Sequence, residues 1–209
     1  MVLLFRWAPV PLTSFMLQDR VASLAAEEGW RFSHDWVPWE EISPHAALAV
    51  VAAEDQKFPF HRGFDLEAID QALTDAERGR RVRGASTITQ QVAKNLFLWP
   101  GRSWFRKGLE AWFTVLIEVL WPKQRILEVY LNSAEFGRGV WGVEAASQRF
   151  FNRPAKRLSP HQAALLAAVL PNPKRLRVDR PSSYVRGRQS WILAQMRGLG
   201  GTAYLAQVE

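Results

Sequence analysis

Residues 44–65 read PHAALAVVAAEDQKFPFHRGFD, a run that is apolar on nearly every side as far as Ala53 and then becomes polar. Ser43 followed by Pro44 is typical of a helix start, because a serine side chain caps free backbone N–H groups and proline has no N–H to leave unpaired. A helix that is apolar all round is a buried helix. The stretch therefore predicts a buried helix that ends at Glu54.

The same signals recur further along the chain. Ser159-Pro160 precedes the apolar run HQAALLAAVL, which predicts a second buried helix. Residues 104–121 place large apolar side chains three and four positions apart, the period of an amphipathic helix, and residues 124–131 predict a further short helix. Residues 30–39 show the only strand-like alternation. We predict a mainly α fold in one compact unit.

The composition of the 209 residues excludes several classes of protein. Hydrophobic residues make up 48% and charged residues 22%, as in a folded globular protein. Because there is no cysteine, disulfide scaffolds, thiolate zinc sites and cysteine nucleophiles are excluded. The four histidines are scattered, so we predict no metal site built from the protein alone. No apolar run reaches the roughly 18 residues of a membrane-spanning helix.

Charge is distributed unevenly along the chain. Residues 1–77 hold 5 basic and 13 acidic side chains, whereas residues 78–209 hold 22 basic and 7 acidic ones. From Arg78 to Lys107 there are eight basic residues and no acidic residue. Such a concentration predicts an anionic partner: a nucleic acid, a phospholipid surface or a pyrophosphate. The ten tryptophans fit a protein at a membrane–water boundary.

Glu54 is the first candidate for a catalytic group. It ends an apolar helix, where poor solvation raises the pKa of a carboxyl group toward the range that a general base or acid needs. The adjacent negative charge of Asp55 acts in the same direction. His61 and Asp65 follow within about a dozen residues, so polar groups cluster here. The alternative interpretation is an acidic pair at a helix end that faces water.

Two further segments carry side chains suited to a phosphate. Residues 83–95 read RGASTITQQVAKN, in which small residues, hydroxyls and amides lead into a helix; such a segment suits phosphate and sugar recognition but lacks the spacing of a P-loop. Arg106 and Lys107 precede Glu110 by four and three residues, so both cations share its face of a helix. The alternatives are an ordinary polar helix cap and a solvated salt bridge.

Taken in order, these segments resemble the peptidoglycan glycosyltransferases of glycosyltransferase family fifty-one. The first family motif corresponds to residues 54–65 and the second to residues 84–95. The third begins at residues 106–110. The third motif also includes Lys123, Ile126-Leu127-Glu128 and Tyr130-Leu131-Asn132. The later motifs correspond to residues 135–137, 142–146, 163–166 and 170–173. The resemblance spans about residues 30–200.

The resemblance implies a lysozyme-like, mostly helical fold with a large lobe and a small membrane-facing lobe. It also implies that Glu54 is the catalytic base and that Glu110 is a second essential glutamate. The substrate-binding positions that it implies are Asp55, Lys57, Phe58, His61, Ser86, Thr87, Gln90, Gln91, Lys94, Asn95, Arg102, Arg106 and Lys107.

The implied reaction is the polymerisation of lipid II. The 4-hydroxyl of the GlcNAc of lipid II attacks the anomeric carbon of the lipid-pyrophosphate-linked glycan, which inverts that centre to a β-1,4 bond and releases polyprenyl pyrophosphate. Cofactors are not required, with a divalent cation (Mg or Mn) as an option. Expected partners are lipid II, the lipid-linked glycan, the membrane surface and other proteins of cell-wall synthesis and division; nucleic acid is not expected.

The sequence has no Ser-x-x-Lys motif of a transpeptidase domain, so it is similar to the monofunctional members of the family in Gram-negative bacteria. The resemblance implies an inner-membrane protein with a single N-terminal anchor and a periplasmic catalytic domain. Residues 1–12 resemble the end of that anchor, with a disordered end as the alternative, and residues 13–209 are the expected glycosyltransferase domain.

Two other functions compete with this one. A lysozyme-like lytic transglycosylase that cleaves peptidoglycan would also use one glutamate at a helix end. It would not need the cation-rich segment, because its leaving group is a sugar hydroxyl. A nucleic-acid-binding module would use the basic half of the chain as its surface, and its affinity would fall steeply with salt.

Overall fold

A computed structural model of the protein describes residues 1–25, 32–79, 86–101 and 103–208. The helices and strands are α1 Val2–Phe5, α2 Ser14–Ala25, β1 Ser33–His34, α3 Pro44–Glu54, α4 Leu66–Glu77, α5 Ile88–Phe97, α6 Trp104–Leu120, α7 Lys123–Ser133, β2 Glu135–Gly137, β3 Val140–Trp141, α8 Val143–Phe151, α9 Pro160–Val169 and α10 Ser183–Gly198. Short 3-10 helices are Trp39–Glu41, Ala155–Arg157 and Gly201–Gln207. The predicted mainly α fold is confirmed.

Helix α3 lies at the centre of the core. All of its residues from Ala46 to Ala52 are buried, and α9 and α10 pack against it. As predicted, the Ser43 side chain caps its start, where it accepts a hydrogen bond from a backbone N–H. The predicted helix after Ser159-Pro160 is α9, which begins with a capping box. Apolar burial and local capping together explain why these two segments are helices.

The helices form two groups that meet at α7. Helices α3, α9 and α10 pack on one another, whereas α5 packs on α6 and is also contacted by α2. Helix α7 contacts both α5 and α3. The helices predicted over residues 104–121 and 124–131 are observed as α6 and α7. This arrangement matches the expected division into a larger and a smaller lobe, and it places the end of α3 beside α5.

A small three-stranded sheet has the order β1-β3-β2, with β1 parallel and β2 antiparallel to β3. Only Ser33–His34 of the strand expected over residues 30–39 is a strand in the described part of the chain. The strand is short because the side chain of Asn132 occupies both the N–H and the carbonyl of Val37, at 2.9 Å each. A ladder cannot continue where a side chain already satisfies the backbone.

Residues 1–12 pack against α6 and α7. Val2 is buried, and its carbonyl accepts a hydrogen bond from Nε1 of Trp121 at 2.8 Å. Arg125 donates to the carbonyl of Phe5 at 3.0 and 3.1 Å. Over the ranges that the structure describes, no helix is both long and apolar enough to cross a bilayer. That residues 1–12 end a membrane anchor stays a prediction.

Candidate active site

Glu54 is the last residue of α3, and its side chain is 16% exposed. Gln91 Nε2 donates to Oε2 at 3.1 Å, and an Arg188 guanidinium nitrogen lies 3.3 Å from Oε1. Burial raises the pKa of Glu54, whereas the hydrogen bond from Gln91 and the charges of Arg188 and Lys94 act in the opposite direction. A largely desolvated carboxylate that remains ionisable has the properties of a general base.

Gln91 is itself held by a second hydrogen bond. The Tyr130 hydroxyl donates to Gln91 Oε1 at 3.2 Å, and Tyr130 is 2% exposed. A chain of hydrogen bonds therefore runs from α7 through α5 to Glu54 at the end of α3. Because α7 joins the two groups of helices, the orientation of the carboxylate depends on both groups.

Glu110 is the centre of a second cluster, on α6. It is 3% exposed and accepts from Arg106 at 3.3 Å and from Lys107 Nζ at 2.5 Å. The prediction that Arg106 and Lys107 share one helical face with Glu110 is thus confirmed. The Glu110 carboxylate is buried, so this is not a fully solvated salt bridge. Within the described ranges, Arg106 Nε is buried and has no hydrogen-bond partner. One donor of this guanidinium is therefore unused.

The charges of both Glu54 and Glu110 act on Lys94. It follows Gln91 by three residues on α5, about one helical turn. Its pKa is lowered chiefly by burial, while the charges of Glu110 and Glu54 act to raise it. The ring of Phe15 lies 5.9 Å from Nζ, and no hydrogen bond or ion pair joins this ammonium group to another described residue. An ammonium group that two carboxylates influence, and that has no hydrogen bond or ion pair among the described residues, is suited to an anionic ligand.

The structure therefore brings together six of the residues that the sequence selected. They share the junction of α3, α5 and α6: Glu54, Gln91, Lys94, Arg106, Lys107 and Glu110. We call these six residues the Glu54–Glu110 cluster. The two carboxylates have distinct surroundings, since Glu54 faces one amide and one guanidinium whereas Glu110 faces two cations, and this allows one to take a proton while the other holds cations in place.

Three other selected residues brace the loop after α3. Asp55 accepts from the N–H of Ile88 at 3.0 Å and from Nε2 of His61 at 2.9 and 3.0 Å. Because the N–H of Gly63 donates to His61 Nδ1, the ring proton lies on Nε2, toward Asp55. Phe58 is fully buried and meets the His61 ring edge-on. In this conformation Asp55, Phe58 and His61 fix the loop to the start of α5.

The remaining selected residues of the second motif surround the start of α5. Thr87 and Gln90 form its capping box, so their side chains bind backbone N–H groups. Ser86, directly before the box, is exposed, and Asn95 at the other end of the motif is half-buried. The cap therefore fixes the helix that presents Gln91.

Lys57 and Arg102 are not part of the Glu54–Glu110 cluster as described. Lys57 is exposed and pairs with Glu67. It lines an open cavity of about 460 Å³ together with Phe60 and other residues of the loop before α4. Arg102 lies outside the described residues, as do positions 84 and 85 of the second motif. Their roles stay predictions from the sequence.

Comparison with known proteins identifies the family. A family model described as Transglycosylase matches residues 21–197 of the 209-residue chain. The chain belongs to the transglycosylase family.

Curated relatives of this transglycosylase carry a more specific name. The chain is 58% identical over 209 residues to the biosynthetic peptidoglycan transglycosylase of Pseudomonas putida, covering 100% of this chain and 89% of that protein. It is 56% identical to the protein of that name from Stutzerimonas stutzeri, with 100% and 86% covered. For Cronobacter sakazakii the identity is 58% over 207 residues, with 99% and 86% covered. The predicted class, a monofunctional peptidoglycan glycosyltransferase, is confirmed.

Two residues of this transglycosylase touch the Glu54–Glu110 cluster but were not selected from the sequence. Tyr130 stands in the third motif, within Tyr130-Leu131-Asn132, and that position was a signal that could have pointed to it. Arg188 lies 134 residues from Glu54 and is one of several arginines on α10. No local pattern distinguishes it, because its role depends on how α10 packs against α3.

Proposed function

We propose that this transglycosylase polymerises lipid II, with Glu54 as the general base and Lys94, Arg106 and Lys107 as the cations that bind the donor pyrophosphate. The observation that carries the proposal is the position of Lys94. Its ammonium group interacts with Glu54 and with Glu110 and has no hydrogen bond or ion pair within the described residues. Because Gln91, one turn before Lys94 on α5, donates to Glu54, the base and this ammonium group lie along the same helix.

The base explains how a sugar hydroxyl becomes a nucleophile. A hydroxyl attacks poorly near neutral pH unless a positioned group takes its proton as the new bond forms. Gln91 and Arg188 each occupy one oxygen of Glu54, at 3.1 and 3.3 Å, so the carboxylate is held in one orientation. The proton moves from the 4-hydroxyl of the acceptor to Glu54 while that oxygen bonds to the anomeric carbon of the donor.

The cations explain how the pyrophosphate leaves. As the bond to the anomeric carbon breaks, its electron pair stays on the pyrophosphate oxygen, and preorganised cations stabilise that charge. Lys94, Arg106 and Lys107 carry three positive charges against the single negative charge of Glu110. The Nε donor of Arg106, which has no hydrogen-bond partner among the described residues, adds to this capacity. Attack and departure on opposite sides of one carbon invert its configuration, as in an inverting glycosidase.

The same cations argue against the competing functions. A lytic transglycosylase or lysozyme-like hydrolase expels a sugar hydroxyl, which needs a proton donor rather than three cations. A nucleic-acid surface does not require a buried carboxylate with restrained oxygens beside the basic residues. The pairing of Glu54 with a cationic site favours transfer from a pyrophosphate.

A metal ion has no assigned step in this proposal. Of the residues that can be described, no three His, Asp or Glu side chains form a group that could hold a metal ion. The Glu110 carboxylate is bound by Arg106 and Lys107, and the Glu54 carboxylate by Gln91 and Arg188. That no cofactor is required, with a divalent cation (Mg or Mn) as an option, stays a prediction, which activity in the presence of a chelator tests.

The decisive experiment compares the unchanged chain with Glu54→Gln. We expect polymer from lipid II in detergent with the former and none with the latter, because an amide cannot take the proton. Circular dichroism and lipid II binding should be retained, since the side chain keeps its shape. Glu77→Gln, at the exposed end of α4, is the matched control. Polymer from Glu54→Gln at the control rate would refute the base, and cleavage of finished peptidoglycan without use of lipid II would favour the hydrolase.

A peptidoglycan-synthesising enzyme acts at the cell envelope, and we propose that an apolar face of α6 and α1 lies on the membrane. Along α6, Trp104 is 93% exposed and Trp112 is 61% exposed. Helix α1 packs on α6 and exposes Leu3, and Trp7 is exposed just after α1. Exposed apolar patches mark interaction surfaces, and indoles favour the bilayer interface. Since α6 also carries two of the three cations, Arg106 and Lys107, one helix would face the lipid tail and the pyrophosphate.

Vesicle flotation tests the membrane face. The probe is vesicles of phosphatidylglycerol and phosphatidylethanolamine, and the variant carries Trp104→Ser with Trp112→Ser. We expect a smaller bound fraction for this variant and no change for Trp191→Ser, which removes an exposed indole from α10 instead. Equal binding by the double variant and the control would contradict the assignment of this face.

A further inference from the structure

The Tyr130 hydroxyl is a buried group that the proposed chemistry does not use directly. Tyr130 is 2% exposed on α7, and its hydroxyl donates to Gln91 Oε1 at 3.2 Å. Throughout the described ranges this is its single hydrogen bond. A buried donor without an acceptor is costly, so this proton restrains the group that accepts it.

The restrained group is an amide that has two possible orientations. In the observed one, Gln91 Nε2 donates to Glu54 Oε2 at 3.1 Å. After a flip of the amide, two oxygens would meet at that position, which is tolerated when Glu54 carries a proton but not when it is ionised. The same flip would remove the acceptor of the Tyr130 hydroxyl proton. Tyr130 therefore favours the orientation that suits ionised Glu54.

The other charged groups around Glu54 do not depend on this amide. Arg188 faces it from α10, Lys94 faces it from α5, and Asp55 follows it in the chain. These charges stay in place whichever way the amide points. Of the groups around Glu54, the Gln91 amide is the one whose orientation the Tyr130 hydroxyl can control.

We propose that Tyr130 is a positioning residue for the transfer reaction, which fixes the amide of Gln91 so that its N–H donor stays on Glu54. The inference rests on the proposed role of Glu54 as the base. It adds a buried residue on α7 that reaches Glu54 only through Gln91. It also assigns to Gln91 the task of keeping the base ionised.

The titration of these groups supports this role. Burial raises the pKa of Tyr130 well above its ordinary value, so the hydroxyl keeps its proton over the working range of the enzyme. Burial likewise raises the pKa of Glu54, and the hydrogen bond from Gln91 is the strongest of the effects that lower it. Loss of that bond should therefore raise the pKa of Glu54 further.

Tyr130→Phe tests the inference, because it removes the hydroxyl and keeps the ring. We expect the acidic limb of the kcat/KM–pH profile with lipid II to move upward by about half a unit to one unit. At pH values on the acidic side of the profile, kcat/KM of the variant should be roughly threefold to tenfold below that of the unchanged chain, and the difference should disappear at higher pH. The midpoint of the limb does not depend on the fraction of folded enzyme, so partial misfolding does not obscure the result.

Tyr204→Phe is the matched control. Its hydroxyl also makes one buried hydrogen bond, to the carbonyl of Gln56 at 2.6 Å, but it has no contact with Gln91. We expect a change in Tm with no movement of the acidic limb. Gln91→Met should move the limb as Tyr130→Phe does, and the double variant should match Gln91→Met alone, because Tyr130 acts through Gln91.

The outcomes separate this inference from the function on which it rests. An unmoved limb in Tyr130→Phe, with Glu54→Gln inactive, would overturn the positioning role and leave the base in place. An active Glu54→Gln would overturn the base itself. Additive effects of Tyr130→Phe and Gln91→Met would also overturn the inference, since they would mean that the hydroxyl acts by another route.

Discussion

Arg188 on α10 lies 3.3 Å from the carboxylate of Glu54 at the end of α3, across 134 residues of sequence. The two helices pack against each other in the core. In the part of the chain that the structure describes, Arg188 Nε is buried without a hydrogen-bond partner. The Arg188 contact therefore attaches the carboxylate of Glu54, the proposed base, to the core as well as to α5.

We expect Arg188→Met to impair the base by removing its counter-charge. The positive charge of Arg188 lowers the pKa of Glu54 against the effect of burial, so its loss should raise that pKa. An increase of about one unit would reduce kcat/KM about tenfold on the acidic side of the profile. Steady-state kinetics with lipid II at several pH values measures this shift. Arg186→Met, exposed on the same helix, should leave the profile unchanged, and an equal shift in both variants would contradict the pairing.

Lys94→Met should weaken donor binding without weakening the fold. Burial lowers the pKa of Lys94, which means that the folded protein disfavours the charged form and gains no stability from it. We expect an unchanged or higher Tm, together with a KM for the lipid-linked donor that rises about tenfold or more. Thermal unfolding and kinetics give the two readings. Lys156→Met, an exposed lysine paired with Glu41, is the control; a collapse of Tm with an unchanged KM would show that Lys94 is structural.

The parts that the sequence predicted correctly are those that local patterns determine. An apolar run behind a Ser-Pro cap predicted α3 and α9, because burial and capping act within one helix. The spacing from Arg106 to Glu110 predicted their ion pair for the same reason. Poor solvation was expected for Glu54 at the end of an apolar helix, and burial does raise its pKa, whereas its role as the base stays a prediction.

The parts that it missed depend on contacts between distant segments. Of the strand-like stretch over residues 30–39, only Ser33–His34 is a strand among the described residues, and Asn132, on α7, takes the backbone groups of Val37. Tyr130 and Arg188 enter the site because α7 and α10 pack beside α3, and no pattern within either helix specifies that packing.

Gly63→Ala should displace the loop that carries His61. A Cβ at Gly63 would lie 2.6 Å from the Thr114 side chain and 2.9 Å from that of Glu118, and its φ of +85° is unfavourable for other residues. We expect the free energy of unfolding to fall by roughly 2 kcal/mol or more. Denaturant unfolding measures this, with Gly187→Ala as the control. Gly187 lies on α10 with nothing within 4 Å of its Cβ position, so alanine should stabilise the helix by about 0.5–1 kcal/mol. Equal stability of the two variants would contradict the close approach of the loop to α6.

Glu135, at the start of β2, makes stability depend on pH away from the Glu54–Glu110 cluster. Burial raises its pKa to about 7 and the charge of Asp19 acts in the same direction, whereas Lys174 lowers it. An unfolded glutamate has a pKa of about 4.3, so between these values the folded state binds more protons and stability falls as pH rises. Above about pH 7, the ionised group carries its full unfavourable contribution.

Glu135→Gln should therefore stabilise the protein at pH 8 and change little at pH 4. The amide keeps an oxygen that can accept from the N–H of Gly139 and removes the buried charge. After allowance for residual solvent screening, the gain at pH 8 should be about 1–2 kcal/mol, or roughly 2–8 °C in Tm. Thermal unfolding at both pH values measures it, with Glu77→Gln as the exposed control. A Tm that rises equally at pH 4 and pH 8 would mean that the carboxylate charge is not the cause.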